Sequence, residues 1–192
     1  MELIKQNSHT RILKSLIVIF LGSILLTISA KVKIPFYPVP MTMQTFVVLF
    51  LGLSFGYKIG LATVSLYLIE GIIGLPVFSN SPEKGIGLVY FTGPTMGYLI
   101  GFLPAVFLTG FLKLDDWTKK ENQSLKFFLN NLIKLLISVS VIYLLGLIWL
   151  NNLIGFEKAL LFGLKPFWIA EIFKILLLAF LVPLIIKFRK II

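Results

Sequence analysis

Lys165-Pro-Phe-Trp-Ile-Ala-Glu-Ile-Phe-Lys-Ile-Leu-Leu-Leu-Ala-Phe-Leu-Val-Pro-Leu-Ile-Ile-Lys187 closes on a basic residue, as it opens on one. Between these ends, Glu171 and Lys174 are its only charges. A hydrocarbon core about 30 Å thick takes roughly 20 helical residues to cross, so the stretch reads as a membrane-spanning helix over about Phe167–Ile186. A spacing of i,i+3 places Glu171 and Lys174 on one helix face, within reach of each other. A charge in hydrocarbon costs roughly 3 kcal/mol on insertion scales, so both groups must face protein or water. Two readings are open: a ligand site inside the membrane, or a buried ion pair that locks two helices together.

The rest of the chain has the same character. Apolar residues make up 58% of the 192 and charged residues 14%, where a soluble domain carries about a quarter. Mean hydropathy is +0.98. Cysteine is absent and His9, in the polar N-terminal tail, is the only histidine. Disulfides, Cys- or His-based metal sites and Ser-His or Cys-His catalytic pairs are therefore excluded. No Gly-x-x-x-x-Gly-Lys-Ser/Thr loop is present, so no ATP site of that kind is expected. The net charge of +10 comes from bases that flank apolar segments. That pattern is the mark of a membrane protein and not of a nucleic-acid binder.

Six apolar segments follow along a single membrane domain, 1–192: about 12–31, 41–55, 59–78, 95–114, 127–150 and 167–186. The expected fold is an all-α integral membrane protein, a compact bundle of six transmembrane helices. The boundary at Gly56-Tyr-Lys58 is the weakest signal, and four or five spans result if segments two and three form one bent unit. The first segment follows Lys5, Arg11 and Lys14 and ends in Ser29-Ala30, a signal-peptide pattern, but its apolar run is too long for one. It is expected to be a retained first helix. With the N-terminus inside, Lys5, Arg11, Lys14, Lys58, Lys113, Lys119, Lys120, Lys126, Lys187, Arg189 and Lys190 fall in the cytoplasm. Lys31, Lys33, Lys84, Lys158 and Lys165 fall outside. This bias predicts that both termini are cytoplasmic.

That topology gathers three segments at the outer face. The loop Lys31–Gln44 contains Pro35, Pro38 and Pro40, which predict a stiff extended turn, and leads into Thr42, Gln44 and Thr45. The loop Gly74–Tyr98 offers Phe78, Asn80, Tyr90 and Phe91, then Gly93-Pro94-Thr95 as a turn into a helix. Glu171 and Lys174 lie one to two turns below. Hydrogen-bonding groups, aromatics and an ion pair at one mouth have the composition of a small-molecule pocket. Each piece also has a plain packing role: Thr42 and Gln44 as caps, aromatics as an interfacial belt, glycines as contact points between helices.

Four ordered blocks resemble a known family. They are Pro38-Val-Pro-Met-Thr-Met-Gln-Thr45, Tyr67-Leu-Ile-Glu-Gly-Ile-Ile-Gly-Leu-Pro-Val-Phe78, Thr92-Gly-Pro-Thr-Met-Gly-Tyr-Leu-Ile-Gly-Phe102 and Gly163-Leu-Lys-Pro-Phe-Trp-Ile-Ala-Glu-Ile-Phe-Lys174. Together they resemble the signature of the BioY family, the biotin-specific S components of energy-coupling factor (ECF) transporters. The resemblance runs from about Lys14 to the C-terminus. It implies a six-helix protein of the bacterial cytoplasmic membrane that binds biotin from outside. The partners implied are a transmembrane coupling protein and a pair of cytoplasmic ATPases, with no cofactor, metal or nucleic acid. Two departures stand out. The family's Asp-x-x-Lys is Glu171-x-x-Lys174 here, one methylene longer. Glu70 stands where an apolar residue is expected, and it can reach water, pair with a base or contact ligand.

Biotin's chemistry suits these residues. A carboxylate such as Glu171 can accept from a ureido N–H, and Gln44, Thr42 or Asn80 can donate to the ureido carbonyl. Phe78, Tyr98 or Trp168 suits the apolar bicycle. Lys174, or the backbone near Gly93 and Thr95, suits the valerate carboxylate. Either end of biotin can meet Lys174 on this reading. Ser15, Gly22 and Ser29 recur every seven residues on the first helix, with Ser23 and Thr27 alongside. The family resembles other S components in using a small-residue face of that helix to meet the coupling protein, which points to Gly22 and Ser23. Packing inside the bundle is the alternative. Other readings of the chain are an S component for thiamin or riboflavin, a membrane-embedded enzyme using Glu171, and a channel or structural bundle.

Overall fold

The computed structural model describes residues 2–35, 37–112, 114–116, 118 and 124–188. Of the bases used to orient the chain, Lys113, Lys119, Lys120, Arg189 and Lys190 lie outside the described residues, as do the side chains of Lys5 and Lys187. The described elements are α1 (Glu2–Lys31), β1 (Lys33–Ile34), β2 (Met41–Thr42), α2 (Gln44–Ile72), a 3-10 turn (Gly87–Thr92), α3 (Met96–Phe111), α4 (Ser124–Ile154), α5 (Phe156–Gly163) and α6 (Trp168–Phe188). Among the described residues, four helices are long and apolar enough to cross a membrane: His9–Lys31, Gln44–Ile72, Leu125–Ile154 and Trp168–Ile186. Met96–Phe111 is a shorter apolar helix.

α2 joins the expected second and third segments into one bent unit. The bend is at Gly56, whose φ of 80° and ψ of 172° are non-helical and lie where glycine alone is at ease. The chain doubles back there. Gln44 Nε2 lies 2.7 Å from Tyr67 Oη, although on a straight helix the two residues would be about 34 Å apart. A Cβ placed on Gly60 would lie 3.4 Å from the Gly52 Cα. The limbs 44–55 and 57–72 are therefore antiparallel and nearly in backbone contact.

Glycine contacts continue this packing outward. A Cβ on Gly52 would lie 2.7 Å from the Val106 carbonyl oxygen of α3, and one on Gly110 would lie 2.3 Å from the Tyr57 backbone nitrogen. On the other side of α3, Cβ atoms on Gly97 and Gly101 would meet α4 at 2.4 Å from Leu145 O and 2.8 Å from Ile142 Cα. Small residues let helices approach this closely where lipid gives no hydrophobic drive for association. α3 is thus held between α2 and α4, with α6 closing the bundle against both.

Three local features differ from the expectations. The segment expected over 59–78 is helical only to Ile72. Gly74, at φ 100°, ends it: Gly74 N–H donates to Gly71 O at 3.2 Å and Leu75 N–H to Glu70 O at 3.0 Å, the paired bonds of a Schellman stop. The Pro-rich loop contains a short antiparallel ladder, Lys33 opposite Thr42 and Ile34 opposite Met41. Between α4 and α6 the chain forms α5, which buries Ala159 and Gly163 and exposes Phe156, Leu161 and Phe162.

α1 packs mainly on α2, and this corrects the partner-face assignment. A Cβ on Gly22 would lie 2.6 Å from Thr63 Cγ2 of the second limb. Ser23 is fully buried and donates to Glu70 Oε1 at 2.9 Å. Both residues face inward, because the close contact between α1 and α2 needs its small residues there. Glu70 has its partner in that serine.

Candidate functional site

α6 begins after the turn at Leu164–Phe167, where Glu171 N–H donates to the Phe167 carbonyl at 2.9 Å. Glu171 lies in the first turn of α6, where a negative charge complements the helix dipole. Glu171 and Lys174 are 6% and 4% exposed, and their ion pair closes at 2.8 Å. Desolvation this complete is tolerable only when every charged atom finds a partner.

Lys174 meets that condition. Its ammonium donates to Glu171 Oε1 at 2.8 Å, to the Thr42 carbonyl at 2.6 Å and to Thr45 Oγ1 at 3.1 Å. An ammonium has three donors, and all three are occupied. Thr45 Oγ1 in turn donates to Glu171 Oε1 at 2.9 Å. One carboxylate oxygen is thus fixed from α6 and from the start of α2. The other, Oε2, is buried and has no hydrogen-bond partner among the described residues.

Glu171 lines a cavity whose empty space, with its open mouth, is about 520 Å³. Its polar wall carries Thr42, Gln44, Thr45 and Ser79; its apolar wall carries Val39, Leu99, Phe102, Ile142 and Phe167; Tyr90, Tyr98 and Tyr143 complete it. Most of the polar groups are already engaged. Gln44 Nε2 donates to Tyr67 Oη at 2.7 Å, and Thr42 Oγ1 donates to Gln44 Oε1 at 3.2 Å. Tyr98 Oη donates to the Gly163 carbonyl at 2.9 Å, and Tyr90 Oη donates to the Ser79 carbonyl. Burial raises the ionisation range of the Tyr90 hydroxyl, with a smaller opposing effect from Thr95. The hydroxyl is therefore a donor at any ordinary pH. Ser79 Oγ, like Glu171 Oε2, is buried without a partner among the described residues.

The ten residues singled out for ligand contact divide. Thr42, Gln44, Thr95, Tyr98 and Glu171 line the cavity. Lys174 lies behind Glu171 and lines an apolar groove on the other side with Val32, Ile34 and Phe173. Asn80 and Gly93 line a smaller neighbouring hollow. There the Asn80 side chain accepts from Lys33 Nζ, and the Gly93 carbonyl accepts from Trp149 Nε1 at 2.9 Å. Phe78 is corrected: it is 1% exposed and packs against Gly71, Tyr67, Tyr90 and Phe91, behind the loop and away from the cavity wall. Trp168 is corrected as well, since it is 55% exposed on the outer face of α6. Its neighbour Phe167 takes the inward place.

Ser79, Tyr143 and Phe167 were not singled out from the sequence. Phe167 carried a signal, because i,i+4 puts it about 40° from Glu171 round the helix, whereas Trp168 lies about 60° off on the other side. Tyr143 carried a fainter one, a polar-tipped ring amid the apolar residues of α4. Ser79 carried none, since its orientation is set by long-range contacts. Lys31 Nζ donates to the Phe78 and Ser81 carbonyls, both at 2.9 Å, and Lys84 stands over the Tyr37 ring at 5.4 Å. Glu70 is not part of the cavity wall.

Comparison with known proteins shows the family. The chain is 34% identical to a probable biotin transporter BioY of Pyrococcus horikoshii, over 83% of this chain and 87% of that protein. It is 35% identical to the biotin transporter BioY of Thermotoga maritima, over 81% of this chain and 85% of that one. The fold matches the crystal structure of an S component for biotin from an ECF-type ABC transporter, with a TM-score of 0.75, 27% identity and 93% of each chain covered. A model of the BioY family matches residues 4–190, a span that takes in the helical hairpin, the cavity and the Glu171–Lys174 pair alike, so the chain belongs to the BioY family.

Proposed function

We propose that the chain captures biotin and serves as the S component of an ECF transporter, a transport subunit and not an enzyme. The carrying observation is Glu171 Oε2, a buried acceptor with no partner among the described residues, on a side chain that lines the cavity. An ureido N–H is the complement of that oxygen, and Ser79 Oγ is a second uncommitted group that can serve the ureido carbonyl. The apolar bicycle then lies along Leu99, Phe102, Ile142 and Phe167. Lys174 acts through Glu171: with its three donors occupied, it positions the carboxylate and takes no direct bond to ligand. The relatives' names favour biotin over thiamin or riboflavin.

On this reading the six apolar segments cross the cytoplasmic membrane, with the limbs of α2 counted separately. Both termini face the cytoplasm, as the lysine and arginine distribution supports. The cavity end then faces outward. A transmembrane coupling protein and an ATPase pair supply the energy, consistent with a sequence that carries no phosphate-binding loop of its own. Radiolabelled biotin binding to the purified protein tests the assignment, with Glu171→Gln as the variant. Wild type is expected to bind biotin and to ignore excess thiamin or riboflavin. The variant is expected to lose the equivalent of about 1.5–3 kcal/mol. A folded Glu171→Gln protein that binds biotin as tightly as wild type would move the site elsewhere.

A further inference from the structure

The end of the bundle opposite the biotin cavity holds a second candidate site. Arg11 lies about 30 Å down α1 from Lys31, and Lys31 bonds to the loop beside Ser79. Around Arg11 opens a groove lined by Ser15, Ser54, Tyr57, Lys58 and Phe111, with empty space of about 1500 Å³ including its open side. It sits where α1, the Gly56 bend and the end of α3 meet.

Three observations on that groove point to one ligand chemistry. Arg11 and Lys58 line it from two different helices, and neither has an ion-pair partner among the described residues. Ser54 lines the groove, and its buried Oγ has no hydrogen-bond partner among the described residues. The first turn of the second α2 limb, Tyr57–Ile59, also lines it, so a helix N-terminus adds its positive end. Beside these polar groups stand exposed aromatic rings. Tyr57 packs edge-on against Phe107 at 5.6 Å and Phe111 at 6.2 Å, and Phe107 stacks on Phe111 at 5.5 Å. Two cations and a buried hydroxyl beside an outward apolar surface match a phosphate headgroup with acyl chains attached. A soluble anion uses only the polar half.

We infer that this groove binds the headgroup of an anionic phospholipid, with Arg11, Lys58 and Ser54 on the phosphate and the Tyr57–Phe107–Phe111 cluster along the acyl chains. The full-length protein in nanodiscs of mixed phosphatidylglycerol and phosphatidylcholine tests it, with retained lipid read by native mass spectrometry. Wild type is expected to retain phosphatidylglycerol preferentially. Arg11→Gln with Lys58→Gln is expected to cut that preference about thirtyfold, at about 1 kcal/mol per cation, while biotin affinity stays unchanged. Ser54→Ala keeps both cations and is expected to give a several-fold loss. Equal retention of the two lipids by wild type overturns the proposal, as does full retention by the double variant. Displacement of the lipid by soluble glycerol 3-phosphate at comparable concentration shows a free phosphate site and overturns the lipid assignment. Loss of assembly with the coupling protein, with lipid retention intact, reassigns the groove to a protein contact.

Discussion

Gln44 and Tyr67 close the open end of the α2 hairpin. Gln44 Nε2 donates to Tyr67 Oη at 2.7 Å, and Tyr67 Oη donates to the Val77 carbonyl at 3.2 Å. Both side chains are buried. Through one phenol the first limb, the second limb and the loop leading to Ser79 are tied together. The polar wall of the cavity beside Glu171 therefore depends on a residue that does not line it.

We predict that Tyr67→Phe destabilises the protein by about 1–3 kcal/mol, the cost of leaving a buried amide donor and a carbonyl unpaired. Thermal unfolding in detergent should show a lower midpoint, and biotin affinity should fall less than in Glu171→Gln. An unchanged midpoint would mean that the hairpin is held by its glycine contacts alone.

Lys31 is expected to control the biotin exit rate. Its ammonium donates to the Phe78 and Ser81 carbonyls at 2.9 Å and to Ser81 Oγ at 3.3 Å, which pins the loop that brings Ser79 to the cavity. Lys31→Met keeps the apolar stem and removes the three bonds. Dissociation measured by a cold-biotin chase is predicted to speed up roughly tenfold, in line with the loss of one charge-assisted bond, with little change in the binding rate. Identical chase curves for the two proteins would rule out the latch.

Gly22→Leu is predicted to act on folding first. Even a Cβ at this position would come within 2.6 Å of Thr63 Cγ2 and 3.2 Å of Leu51 Cδ2. Overpacking of this kind costs typically 1–3 kcal/mol. Stability, biotin binding and assembly should fall together. Normal stability and binding with assembly alone lost would restore Gly22 to a partner-facing role.

Much of this was legible in the chain because short-range rules govern it. The i,i+3 spacing put Glu171 and Lys174 together, and the Pro-rich block placed Thr42 and Gln44 at a helix start. Gly74 followed by Pro76 marks the stop after Ile72, within an apolar run that continues to Phe78 and hides it. α5 is one amphipathic piece of two turns after Gly155, too short for hydrophobic periodicity to separate from a loop. The orientations of Asn80 and Phe78 are not legible in the sequence for another reason. Asn80 sits at φ 60° and bonds to Lys33, and Phe78 fills the space over Gly71. Both orientations come from contacts between distant segments. Gly22 and Ser23 show the limit of small-residue patterns, which mark a close contact and not which helix makes it.

The Glu171–Lys174 pair gives a prediction about coupling. Lys174→Met alone leaves a buried carboxylate without its cation, with Thr45 still donating to Oε1, and breaking such a pair costs about 3–5 kcal/mol. Combined with Glu171→Gln, the same change leaves no unpaired charge. The double variant is therefore expected to unfold at a higher temperature than Lys174→Met, although neither should bind biotin well. A double variant less stable than Lys174→Met would show that the lysine serves something other than the carboxylate.

Glu171→Asp tests the reach of the carboxylate. Oε1 is held by Lys174 at 2.8 Å and by Thr45 at 2.9 Å, while Oε2 is uncommitted. Aspartate is shorter by one methylene, so it cannot both keep the two bonds at Oε1 and hold the other oxygen where it was. The ammonium and the threonine are the stronger claim on its position, because releasing them strands a buried charge. The oxygen facing the cavity should therefore withdraw from the ligand. Biotin affinity is predicted to fall by up to the worth of one charge-assisted bond, about 1.5–3 kcal/mol, with stability nearly unchanged. Desthiobiotin keeps the ureido group and should weaken by the same factor. An analogue methylated at both ureido nitrogens should bind weakly to either protein and show no difference between them. If the methylated analogue instead tracks biotin, losing affinity in Glu171→Asp by the same factor, the carboxylate reads some other part of the molecule and biotin lies the other way round in the cavity.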